Sequence, residues 1–151
     1  MRLPHFWTLL TAALTLLACE TPTASAQDAD EVPAAVLASM RRTYPEARDV
    51  EWDVDRNDNY EAHFELGRRK LRADFAPDGT WIETEESIKW KHLPEAVQEA
   101  VKAEYDKDDI EELEHTVSRT KGDFYDVEID PKGEKKFDVE YRADGTKMRV
   151  E

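Results

Sequence analysis

The sequence predicts an α+β fold built from two tandem repeats. Each repeat is an N-terminal helix followed by a four-stranded antiparallel meander, and the two sheets are packed or joined together. Three observations predict this. Landmarks recur in the same order at a nearly constant offset, each set opens with apolar residues at helical spacing, and the remainder of each set alternates apolar with polar residues.

The recurrence is specific. Val32-Pro-Ala-Ala-Val36 returns as Leu93-Pro-Glu-Ala-Val97, 61 residues later, with Tyr44 and Tyr105 following at the same distance. Tyr60-Glu-Ala-His-Phe-Glu65 returns as Tyr125-Asp-Val-Glu-Ile-Asp130 at an offset of 65, and Phe75-Ala-Pro-Asp-Gly-Thr-Trp81 as Tyr141-Arg-Ala-Asp-Gly-Thr-Lys147 at an offset of 66. Copies that share a core but differ in their loops drift in this way. The repeats are assigned to residues 32–86 and 92–151.

Each element follows from local pattern. Val32, Val36, Met40 and Tyr44 are four apart, as are Leu93, Val97, Val101 and Tyr105, which places each set on one helical face. Pro33 and Pro94 fall at the helix starts, where a missing N–H costs nothing, and Pro45 stops the first helix. The period then becomes two. Val50, Trp52 and Val54 predict a strand with one buried face, with Trp52 in the core. Tyr60, Ala62, Phe64 and Leu66 predict the next, and Leu71, Ala73 and Phe75 a third. Thr80 to Glu85 supplies a short fourth. In the second repeat the strands run near 110–118, then through Tyr125, Val127 and Ile129, then Phe137, Val139 and Tyr141, and last Met148 and Val150. Asp78-Gly79 and Asp144-Gly145 close the hairpin between third and fourth strands, since glycine accepts positive φ and aspartate tolerates it. Units of this size bury modest cores, so the sheets are expected to meet, with Glu86 to Lys91 as connector. Trp90 either fills the seam or packs within its own copy.

The start of the chain reads as an export signal. Residues 1–18 combine Arg2 with an uncharged run from Phe6 to Ala18, too short for a permanent membrane helix. Leu16-Leu17-Ala18-Cys19 reads as a lipobox, making Cys19 the lipidation site; alternatively Ala24-Ser25-Ala26 ends a signal of 1–26. Residues 19–31 read as a flexible tether. Cys19 is the sole cysteine, so no intramolecular disulfide is available and packing alone must hold the domain.

Composition narrows the function. Arg2 is the only charged residue among the first 19, so the rest carries 20 of the 21 bases against all 35 acids, net −15. Nucleic acid is excluded as a partner by sign, whereas a basic protein surface would be attracted. Several chemical motifs fail on inspection. Asp53-x-Asp55-x-Asn57 begins like a calcium loop, but Asp58 stands where glycine is needed and Phe64 where the bidentate glutamate belongs. Ser118-x-x-Lys121 matches a nucleophile pattern without its companion motifs. His92 and His115 have no evident partner. No residues call for a catalytic set, a metal site or a cofactor. The remaining candidates are a partner-binding set: Glu61, His63 and Glu65 on one strand face, Asp126, Glu128 and Asp130 on its counterpart, and Trp81 beside the first Asp-Gly turn.

A leader, V-P-x-x-V with Tyr44-Pro45, then Y-E-x-x-F-E, then F-x-x-D-G-x-W, then L-P-x-x-V and a second pass, together resemble the PepSY-like family of small bacterial envelope proteins, also described as β-lactamase-inhibitor-like. The resemblance covers roughly residues 32–151. The second pass departs from it, with Asp106 in place of the proline and Lys147 in place of the tryptophan. The resemblance implies a periplasmic or envelope-anchored protein with a binding or inhibitory role and no catalytic residues. Its expected partner is another envelope protein with a basic surface, such as a peptidase, with the membrane reached only through a lipid anchor. The alternative is a periplasmic metal or small-molecule binder using the carboxylates and His63.

Overall fold

The computed structural model describes residues 31–133 and 135–150. The leader, Cys19 and the tether up to residue 30 lie outside the described residues. The chain runs α1 (Ala34–Thr43), β1 (Arg48–Val54), β2 (Tyr60–Leu66), β3 (Arg69–Phe75), β4 (Trp81–Ser87), α2 (Glu95–Glu104), β5 (Ile110–Ser118), β6 (Gly122–Ile129), β7 (Phe137–Tyr141) and β8 (Lys147–Val150). All eight strands form one antiparallel sheet in sequence order. The fold is therefore mixed α+β.

The join between β4 and β5 makes the sheet continuous. Glu83 pairs with Ser118, Thr84 with Val117, Glu85 with Thr116 and Ser87 with Glu114. Register also fixes which side chains share a face, because partners on neighbouring strands point the same way. Ala62, Ala73, Thr84 and Val117 lie on the helix side, and Leu113 with Val127 and Val139 continues it. Both helices thus cover the same face, and the other face is left open.

Two cores form under the helices. Val36 and Met40 of α1 meet Trp52, Ala62, Phe64, Leu71, Ala73 and Phe75. Val97 and Val101 of α2 meet Leu113, Val127, Ile129, Val139 and Tyr141. Each full burial of such a side chain stabilises by about 1.5–3 kcal/mol. Neither helix has a side-chain cap, so tertiary packing rather than local capping holds them. Pro33 and Pro94 occupy the N-cap positions, one residue ahead of the predicted first turn. Trp90 packs within the second core, beneath Lys102, and does not sit at the seam.

One strand departs from its pattern. Val50 and Val54 were expected to be buried with Trp52, yet they are 37% and 38% exposed. Register shifts between Arg48 and Glu51, and Asp49 adopts φ of 51°. Strand β1 is also the outer edge of the sheet, where α1 reaches Trp52 and not its neighbours. β4 runs two residues further than predicted, to Ser87, because its pairing with β5 extends it.

The Asp-Gly turns do more than close hairpins. A Cβ on Gly79, which has φ of 84°, would lie 2.5 Å from the Ala35 carbonyl oxygen in α1. One on Gly145, φ 83°, would lie 2.6 Å from the Ala96 carbonyl oxygen in α2. Each turn therefore abuts the first turn of its helix, which only glycine permits. Gly79→Ala is expected to lose about 2 kcal/mol or more of stability in urea unfolding. Gly67→Ala, which shares positive φ (68°) but has open space around it, should lose only about 1 kcal/mol.

Candidate functional site

The open face carries charge in ordered rows. One row runs Asp53, Glu61, Asp74, Glu83 and Ser118 across β1 to β5. The next runs Glu51, His63, Arg72, Glu85, Thr116 and Phe124. A third links Ser87, Glu114, Asp126 and Glu140 across β4 to β7. Residues directly opposite on neighbouring strands lie ~5 Å apart, so several carboxylates face one another at a cost to stability. Two hollows lie along this face. The larger, about 660 Å³, is lined by residues that include Glu51, Asp53, His63, Glu65, Arg72 and Glu114. The smaller, about 300 Å³, is lined by Arg72, Glu85, Glu112, Glu114, Asp126, Glu128 and Asp138.

Arg72 is the central cation. It forms an ion pair with Glu85, and its guanidinium also approaches Glu61 at 3.6 Å and Glu114 at 3.9 Å. His63 Nε2 lies 2.9 Å from Glu61 and 3.7 Å from Asp53. Towards β7, Lys121 pairs with Glu140, which is only 5% exposed, and lies over the Phe124 ring. Burial and neighbouring charge raise three further acids. Burial, followed by the charge of Glu85, pushes Asp74 and Glu114 up to about 7. Burial, then Asp138 and Glu140, does the same to Asp126. Among the described residues no group of three or more histidine, aspartate or glutamate side chains is arranged to hold a metal ion.

The predicted residues separate into two sets. Glu61, His63, Asp126 and Glu128 share the open face, and Glu65 lies at its exposed outer part. Asp130 falls just past β6, exposed, with its N–H donated to the Asp109 carbonyl. Trp81 is elsewhere: it packs against the first core, and its indole N–H donates to Thr84 at 2.9 Å, on the helix side.

Most of the chain, residues 20–65 and 58–146, matches the family described as "Putative beta-lactamase-inhibitor-like, PepSY-like". The chain belongs to this family. Solved structures agree on the fold. One from Bacteroides eggerthii, described among "putative periplasmic proteins", superposes with a TM-score of 0.69 at 20% identity, covering 80% of this chain and 88% of that one. A DUF2874 family protein from Bacteroides uniformis gives 0.67 at 20% identity, covering 79% and 88%. A BLIP-like protein from Bacteroides fragilis gives 0.65 at 19%, covering 79% and 85%. Comparison with curated proteins finds no significant match.

Sequence reasoning missed the centre of this PepSY-like protein's open face. Arg72 and Asp74 stood in the alternation of β3 without a role, and Glu83, Glu85, Glu114 and Thr116 gained one only when β4 met β5. Their signal is the polar half of each period-two pattern, which becomes a site only once register is known.

The raised carboxylates set a pH dependence. Asp74, Glu114 and Asp126 bind protons more tightly folded than unfolded, where carboxylates titrate near 4. Between about pH 4 and 7 the native state holds more protons, so stability falls as pH rises through that window. The melting temperature should be higher near pH 5 than near pH 8. Asp126→Asn should raise it at pH 8 by about 3 °C and narrow the difference.

Proposed function

We propose that this PepSY-like protein is an exported, non-enzymatic binding module of the periplasm or cell envelope that docks a basic partner protein, for inhibition or restraint, on the open face of its sheet. The chain is read as a duplication, with one helix-and-four-strand unit in each half. The observation that carries this reading is the open face itself: one continuous sheet whose uncovered side aligns carboxylates opposite carboxylates. Native chains accept such locally unfavourable arrangements chiefly where binding requires them. The hollows give a partner relief to grip, and the net charge draws a basic surface in. Membership in an inhibitor-like family, and likeness in fold to a BLIP-like protein and to proteins described as periplasmic, support the class of function and the export of the chain. The leader residues support the same placement, with Cys19 as lipid anchor or Gln27 as the released N-terminus.

The partner-binding residues on this reading are Glu61, His63, Glu65, Asp126, Glu128 and Asp130. Trp81 could contribute only from the helix side. Crosslinking to partners in envelope extract, mapped by mass spectrometry, tests the reading. Crosslinks should fall on β2 and β6 of the open face, and binding should weaken about tenfold in a Glu61→Lys, Glu128→Lys double variant and in high salt. Crosslinks confined to the helices, or an affinity indifferent to salt, would remove it. The proximity of His63 to Glu61 and Asp53 favours a second reading, a metal or small-molecule binder. Calorimetry with calcium, zinc and copper decides it, since micromolar binding would favour that reading.

A further inference from the structure

We infer that the seam between β4 and β5 is an exchange interface, at which β4 of one copy pairs with β5 of a second copy, and reciprocally. The product is a dimer in which each eight-stranded sheet is built from two chains. The inference does not depend on what docks on the open face.

The seam differs from the other pairings between β1 and β7 in what its side chains do. Its five register pairs are Glu83 with Ser118, Thr84 with Val117, Glu85 with Thr116, Glu86 with His115 and Ser87 with Glu114. None sets one apolar side chain against another. Each other pairing has such a pair: Trp52 with Ala62, Phe64 with Leu71, Phe75 with Trp81, Leu113 with Val127, and Ile129 with Phe137.

Burial follows the same division. The two cores share no residue, and β4 contributes no buried side chain, its half-buried Trp81 packing on the first core. Ile88 and Trp90, just past the seam, pack on the second core. Each half therefore keeps its own apolar burial when the seam parts, and the chain pivots near Ser87.

Backbone hydrogen bonding holds the seam. It is extended by Arg119 N–H donating to the Ile82 carbonyl and Ile88 N–H to the Leu113 carbonyl, both at 2.8 Å. Side chains add Ser87 Oγ donating to Glu112 at 2.8 Å, in an exposed position, and the 3.9 Å approach of Arg72 to Glu114. Returning a backbone pair to water costs about 0.5–1.5 kcal/mol net. Dividing either core would add about 1.5–3 kcal/mol for each large side chain uncovered. Parting the seam is thus the least costly way to divide the molecule.

Opening frees two strand edges at once, and a free edge is a template for another strand. The strand that fits β4 is β5, whose register it already matches, so the occupant is a second copy. Exchange remakes every bond that opening broke, so the balance rests on protein concentration.

Charge sets the rate. Glu114 faces Ser87 from β4, Asp126 from β6 and Arg72 from β3, with Glu85 near and Glu112 on its own strand. Glu85 faces Arg72 from β3 and Thr116 from β5, with Glu61 near and Glu83 on its own strand. Burial is the first cause that raises both carboxyls above their ordinary range. Opening hydrates them and favours their charged forms, so the opened state sheds protons. Opening therefore quickens as pH rises through the window from about 4 to 7.

The test uses the chain in a Cys19→Ser background. Concentrated to about 1 mM, it should form a dimer by size exclusion with light scattering. On dilution the dimer should revert far more slowly than a surface contact dissociates, and several-fold faster near pH 8 than near pH 6. Thr84→Cys/Val117→Cys, oxidised as the dilute monomer, should stay monomeric when concentrated, and reduction should restore the dimer. A melting curve confirms that the oxidised variant is folded. Thr84→Cys mixed with Val117→Cys should give a disulfide between chains. Thr84→Cys mixed with Glu99→Cys, on the exposed side of α2, should not. A chain that stays monomeric when concentrated, a dimer that survives the locked seam, or equal crosslinking to Glu99→Cys would overturn the exchange.

Discussion

The hydrogen-bonded pairing of β4 with β5 is the constraint on which the rest of this structure depends. Each helix packs on its own core of buried residues, and a core of that size gains from a neighbour. Pairing the inner edges satisfies two rows of backbone donors and acceptors that would otherwise be exposed. It also fixes the sidedness of the whole molecule. With Thr84 opposite Val117, both helices must lie on one side, and every carboxylate of β1 to β7 that alternates away from the cores is delivered to the other.

A second consequence concerns cost. Opposed carboxylates such as Glu114 and Asp126, or Asp74 and Glu83, work against folding. The chain answers in part by burial, which raises the proton affinity of several of them so that they are partly protonated near neutrality, and in part with the cations Arg72 and Lys121. That answer is uneven along the sheet. Arg72 serves three acids near the centre, while Asp126 keeps a buried oxygen without a hydrogen bond. Electrostatic strain is thus concentrated beside the join between the two halves of the sheet.

Much of the fold was legible because its determinants are local. Helical spacing through Val97 and Val101, alternation through Tyr60 to Leu66, and the Asp-Gly turns announce their elements without reference to distant residues. The close approach of Gly79 to Ala35 was not legible, since a turn sequence shows the need for positive φ and not what stands against it. Nor were the exposed valines of β1, where alternation implied a buried face but the helix covers only Trp52. The candidate site was half legible. Glu61, His63, Asp126 and Glu128 could be placed on a common face from their own strands. Arg72 and Thr116 could not, because their meaning comes from neighbours 13 and 31 residues away, Glu85 for each, brought alongside by strand register.

The irregular rim of β1 has a bearing on how copies coexist. Asp49 in the left-handed region and the slip of register beside it break the even row of amides that an incoming strand would read, and Arg48, Asp49, Glu51 and Asp53 charge the same border. The exposed Val50 and Val54 are consequently poor seeds for fibre growth, however densely the molecules crowd.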